Sequence, residues 1–135
     1  MRDVKKTVLC FGGEGVEGDD IAFRIYEELG GKIEGVRMVR CESAMDLLDY
    51  MGAENLHIMD AVRGLKRVSV FSGIEDFRKL NPVTTHDMDL GLFLHILDET
   101  EKMRKVKIIG IPIKSVDKNQ TIEDVRKILS KVRNL

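Results

Sequence analysis

Few residues in this chain have the type and placement to do chemistry. "FGGEGVEGDD", residues 11–20, packs four glycines and four acids into ten positions directly behind the apolar "TVLC". A second acid, Asp60, closes the apolar run "NLHIM", and His86 stands in "TTHD" ahead of a leucine-rich stretch. Lys114 and Ser115 follow "KVKIIGIPI". Two carboxylates and an imidazole from separate segments form a donor set suited to a borderline divalent ion. A glycine loop before a helix can also cradle phosphate. Here Glu14, Glu17, Asp19 and Asp20 would repel an anion, and no Gly-Lys-Ser/Thr follows. A helix N-terminus stabilises an ionised carboxylate, so Asp20 suits a cation ligand. No GxSxG stretch is present, and Cys41 has no base beside it in the sequence, so no side-chain nucleophile is prepared. His57 in a strand pattern and His95 in a helical one read as packing or surface residues.

The elements that must position these groups alternate in period. "KTVLCF" (6–11), "GVRMVR" (35–40), "NLHIM" (55–59) and "KVKIIGIPI" (105–113) read as strands, and "KRVSVF" (66–71) as an edge or antiparallel strand. Helices are predicted from Asp20 to Leu29, with Ile21, Ile25 and Leu29 on one face and "GG" at 30–31 as the stop, and over "MDLGLFLHILDETEKM". A short helix over "AMDLLDYM" has Ser43 and Asp46 as its capping pair. A last helix, capped by Thr121 with Asp124, carries Val125, Leu129 and Val132 as its core stripe. Strands alternating with helices give an α/β fold with a mostly parallel sheet of about five strands. In such sheets ligands bind beyond the carboxyl ends of the strands, where the glycine loop, Asp60 and Lys114 are all expected.

The 135 residues are expected to form one domain, residues 1–135, and 43% hydrophobic content suffices for a core without metal or disulfide. A net charge of −1 excludes a generally basic nucleic-acid binder. The charge is uneven: residues 11–60 hold twelve acids against four bases, and 101–135 ten bases against four acids. "MRDVKKTV" carries no secretory-type apolar stretch, and no apolar run reaches the roughly 18 residues of a membrane span. Cys10 and Cys41 form no CxxC pair. A reducing cytoplasm is the expected setting.

Taken in order, these segments resemble the hydrogenase maturation proteases, endopeptidases that remove a C-terminal extension from the large subunit of nickel–iron hydrogenases. That family opens with a strand and a loop of the type GNxLxGDDGxG, and "GEGVEGDDIAF" matches it at Gly13, Gly18, Asp19 and Asp20. "HIMDAV" supplies the family's strand-end acid and alanine, "TTHDMDLGLFLHIL" its histidine opening a leucine-rich helix, and "IIGIPIKS" its final turn, with Pro112 shifted by one. The resemblance spans nearly the whole chain and implies a three-layer α/β/α sandwich. It also implies that Asp20, Asp60 and His86 are metal-contacting and catalytic, with Asp19 a supporting acid. The substrate it implies is a large-subunit precursor already loaded with nickel, the divalent metal that the protease recognises. A metal ion there would polarise a scissile carbonyl and acidify a bound water. Glu14 replaces the family's usual Asn, Ile21 and Phe23 replace glycines, and Cys41–Glu42 replaces a Gly-Thr pair.

Two other readings fit part of the pattern. A phosphoacceptor domain like the response-regulator receivers would use Asp19–Asp20, Asp60 as the phosphorylated acid, Ser72 and Lys114, leaving His86 without a role. A hydrogenase assembly chaperone that does not cleave would share the site without the hydrolysis.

Overall fold

The computed structural model describes residues 4–11, 21–50, 52–62, 64–72, 106–113 and 117–131. Five strands form one sheet: β1 (Lys6–Phe11), β2 (Val36–Cys41), β3 (Leu56–Val62), β4 (Ser69–Phe71) and β5 (Lys107–Pro112), in the order β2-β1-β3-β5-β4. β1, β2, β3 and β5 run parallel, and β4 pairs antiparallel with β5 at the edge, as "KRVSVF" predicted. All residues of β1 and β3 are buried, as expected of central parallel strands covered on both faces. Period-two alternation sorts their side chains into two cores. Val8, Cys10, Met59 and Ile109 pack under α1 (Ile21–Leu29) and α2 (Lys118–Ser130). Leu9, Phe11, Ile58 and Ile108 pack on the other face with Leu47 of a 3-10 helix, Ala44–Tyr50. The chain is thus an α/β protein with a mostly parallel sheet buried on both faces.

Helix α1 follows its apolar spacing: Ile21, Ile25 and Leu29 are buried. Gly30 closes the last turn, its N–H donating to the Tyr26 carbonyl at 2.8 Å, and a Cβ there would stand 2.6 Å from that oxygen. Gly31 at φ +76° then turns the chain away in the conformation that favours glycine. The short helix is capped by the predicted pair. Ser43 Oγ accepts from the Met45 N–H at 3.1 Å, and Asp46 Oδ2 accepts from the Glu42 and Ser43 N–H groups at 2.8 and 3.2 Å.

Helix α2 corrects one expectation. Asp117 is its cap, with Oδ1 accepting from the Gln120 N–H at 3.0 Å. Thr121 lies inside the helix, buried, its hydroxyl donating to the Asp117 carbonyl at 3.2 Å, while Asp124 Oδ1 accepts from the Gln120 amide. Both "DKNQ" and "TIED" carry a cap residue with a partner three positions on. Burial decides between them, since Thr121 extends the Val125–Leu129 stripe by four residues. Val132 and the expected helix over "MDLGLFLHILDETEKM" lie outside the described residues.

His57 is a packing residue, as expected: it is buried in β3, and Nδ1 donates to the Asn55 carbonyl at 2.8 Å. Burial, first, holds its pKa below the ordinary 6.5. The Asn55 carbonyl opposes this, and Lys6 and Lys107 reinforce it. Because the folded pKa is depressed, the unfolded chain takes up this proton first. The ring therefore contributes stability that is present above pH 6.5 and lost as pH falls through the folded value. His57→Asn keeps an N–H donor near Nδ1 and cannot titrate. Urea melts near neutrality and about two pH units lower are expected to show wild type losing more stability than this variant, by up to ~1.4 kcal/mol per pH unit.

Candidate functional site

The strand order fixes where a site can form. From β1 the chain moves outward to β2 on one side and, through β3, to β5 on the other. Neighbouring strands that lead away in opposite directions leave a crevice at their carboxyl ends, here between β1 and β3. The glycine loop departs from Phe11 at this point.

Asp60 stands there too, two residues inside the end of β3 and not beyond it, because the strand continues through Ala61 and Val62. It is 3% exposed. Met59 and Ala61 belong to the α1 face, so alternation puts the Asp60 side chain on the face of Ile58 and Val62. Oδ1 accepts the Ala61 N–H at 2.8 Å, which sets the rotation of the carboxylate. The residue opposite on β5 is Gly110. A Cβ on Gly110 would come within 2.7 Å of Leu65 Cδ1 and 3.3 Å of Phe71 Cε2, so apolar groups close over the glycine beside the acid. An ionisable oxygen pair in such surroundings is costly unless it is engaged, and a strand buried on both faces would otherwise carry an apolar residue there.

Of the other predicted site residues, Asp19, Asp20, His86, Lys114 and Ser115 lie outside the described residues. Asp20 immediately precedes Ile21, the first residue of α1, and α1 packs on β1, β2 and β3. Among the described residues no group of three or more His, Cys, Asp or Glu side chains could hold a metal ion. Neither cysteine is prepared as a nucleophile. Both are buried free thiols on opposite faces of the sheet, and burial, followed by Asp46 and Glu42, pushes Cys41 up to about 12. Burial raises Cys10 also. A thiol so raised stays protonated and inert at neutral pH.

One rim feature was not legible in the sequence. Arg40, the next-to-last residue of β2, places its guanidinium carbon 4.0 Å from the centroid of the Phe23 ring in the first turn of α1. Its Nε donates to Glu42 Oε1 at 3.2 Å. Only the in-phase spacing of Val36, Met38 and Arg40 along β2 hinted that this arginine faces a helix.

The fold removes the receiver-like reading. β4 runs antiparallel to β5, with Ser69 opposite Gly110 and Phe71 opposite Ile108, so Ser72 lies at the amino end of the parallel strands. Asp60 is opposite Gly110, about three residue rises, roughly 10 Å, from that end. A receiver-type sheet also places its fourth strand between the third and fifth, whereas β5 here pairs β3 directly.

No protein-family model and no curated protein matches the chain. Solved structures do. The [NiFe] hydrogenase maturation protease HybD from Thermococcus kodakarensis superposes with a TM-score of 0.69 at 20% identity, over 98% of this chain and 99% of that one. The Hydrogenase 3 maturation protease does so with 0.70 at 19% identity, over 97% and 92%. The hydrogenase maturating endopeptidase HybD from E. coli gives 0.60 at 20% identity, over 97% and 88%. No helix among the described residues is long and apolar enough to cross a membrane. With strand order, edge strand and flanking helices in place, the chain has the α/β fold of the hydrogenase maturation proteases it resembles in sequence.

Proposed function

We propose that this chain is a cytoplasmic endopeptidase of hydrogenase maturation that removes the C-terminal extension of a large-subunit precursor. The observation that carries this reading is Asp60, a buried acid held at the β1–β3 crevice of a sheet with this fold. Asp20 and His86 complete the donor set. One oxygen acid leads out of the loop that leaves β1, and the imidazole opens the following leucine-rich segment. Two carboxylates and an imidazole fit a borderline divalent ion, and the nickel carried by the substrate is the ion they would meet. Such an ion polarises a carbonyl and acidifies water. The chain's own contribution is to orient. Asp60 is buried and its Oδ1 is fixed by the Ala61 N–H, and in this reading Asp19 is the supporting acid of Asp20. A peptidase of this kind has no need of the inert thiols of Cys10 and Cys41.

The test is incubation with nickel-loaded large-subunit precursors, following the shortened product by mass. Wild type is expected to trim its cognate precursor, and His86→Ala and Asp20→Asn are expected to slow trimming by about a hundredfold or more, ligand loss costing at least as much as loss of a ligand's supporting partner. Binding of the precursor without any trimming would identify an assembly chaperone instead. Normal trimming by either variant would refute the assigned roles.

A further inference from the structure

We propose that Gly110 is a positioning residue for Asp60: because it carries no side chain, Leu65 and Phe71 close on the sheet beside the acid and keep its carboxylate in one orientation. The inference rests on the reading of Asp60 as a residue of the endopeptidase site.

Two exceptions to strand composition meet at one point of the sheet. Among the described residues, Asp60 is the only acid within a strand and Gly110 the only glycine. They are partners in the β3–β5 register, on adjacent strands about 4.8 Å apart. Partners in register point to the same face, here the one that holds Ile58, Val62 and Ile108. Whatever fills the place of a Gly110 side chain therefore stands next to that of Asp60. The place is filled. A Cβ on Gly110 would lie 2.7 Å from Leu65 Cδ1, 3.3 Å from Phe71 Cε2 and 3.5 Å from Val62 Cγ2. The first two are closer than the roughly 3.5–4.0 Å at which carbon atoms pack. Phe71 is the register partner of Ile108, so its ring reaches diagonally to the glycine. Leu65 arrives from the turn between β3 and β4.

A glycine inside a strand weakens it and marks a close approach. Here the approach is made by two apolar side chains from outside β5. On the other flank of Asp60 no such help is needed. Phe11, the residue after the partner of Met59, belongs to the same core and is 1% exposed. The acid thus has a large aromatic of β1 on one side and a borrowed apolar wall on the other. The Ala61 N–H fixes one of its oxygens, and the wall takes the space into which the carboxylate could otherwise swing. A looseness of about 1 Å at a reacting centre costs up to a hundredfold, so this packing matters more to rate than to fold.

The experiment compares Gly110→Ala, Leu65→Ala and the double variant with wild type in the full chain, reading precursor trimming and melting temperature. Gly110→Ala pushes Leu65 from its seat and is expected to lower kcat about tenfold or more, with KM within about twofold. Leu65→Ala removes part of the wall without a clash and is expected to lower kcat about threefold. In the double variant the added Cβ no longer meets Leu65 Cδ1, so it is expected to match Leu65→Ala and to outrun Gly110→Ala. A glycine kept only for strand packing would lower the melting temperature and leave the kcat of the folded protein unchanged. Gly110→Ala with kcat within about twofold of wild type overturns the inference, as does a double variant no faster than Gly110→Ala. Should Gly110→Ala not fold, Leu65→Ala decides, and an unchanged kcat in it overturns the inference. A wild type that trims no precursor overturns the endopeptidase reading and this role with it, whereas a trimming wild type matched by Gly110→Ala overturns this role alone.

Discussion

Asp60→Asn is expected to fold as wild type does and to process precursor at least about a hundredfold more slowly. The substitution is nearly isosteric. Asn can present its side-chain oxygen to the Ala61 N–H, the contact that Oδ1 makes at 2.8 Å, so the rotamer and the β3 backbone are retained. What disappears is the second carboxylate oxygen, the donor a cation would need, at a position 3% exposed where solvent cannot take its place. If Asp60 were only a strand residue whose oxygen satisfies a neighbouring amide, Asn would serve as well, and the rate would be unchanged. Single-turnover trimming of a nickel-loaded precursor, with a thermal melt to confirm folding, separates the two outcomes.

Lys6→Met is expected to lower the melting temperature by ~7 °C, corresponding to about 2 kcal/mol for a chain of this size. Lys6 is buried on the face that carries α2, and its Nζ donates to the carbonyls of Leu129 and Lys131 at 3.1 and 2.5 Å. Those oxygens end α2, where carbonyls lack helical partners and the helix dipole is negative, so an ammonium is well placed there. Burial lowers the Lys6 pKa, with Lys107 and Lys131 adding to the effect. The hydrogen bonds oppose that cost, and Met would keep the aliphatic stem while leaving both carbonyls without this donor. Calorimetry on the two proteins decides. A change within about 1 °C would mean that burial of the charge cancels the clamp.

Much of the fold was legible because its strands are apolar enough to be read without context. "KTVLCF" matches β1 at both ends and "NLHIM" marks the start of β3 within a residue but stops three residues short of its end, and Asp60 was conspicuous as an acid following an apolar run. Boundaries were harder where two signals compete. "HIMDAV" reads as strand then turn, yet Ala61 and Val62 are small and apolar enough for β3 to continue past the acid. The "DKNQ" and "TIED" caps could be ranked only by which threonine or aspartate the sheet buries. Lys6 passed unnoticed although its phase with Val8 and Cys10 already placed it on a buried face. Its partners are more than a hundred residues away, and no local pattern reports them. The Arg40–Phe23 contact depends in the same way on strand register, which spacing along one segment does not encode.

The position of β5 has a consequence for biosynthesis. Its partner on one side is β3, with His57 opposite Lys107, fifty residues earlier by their numbers. The ribosome therefore finishes β1, β2 and β3 well before the strand that covers the flank of β3 has been made. Until then a ladder of apolar residues with unsatisfied amides is open to any extended segment nearby, a hazard for aggregation. Closure over such a separation is also slow. A ribosome stalled before residue 107 should release a chain that needs a chaperone, whereas one stalled beyond residue 131 should not.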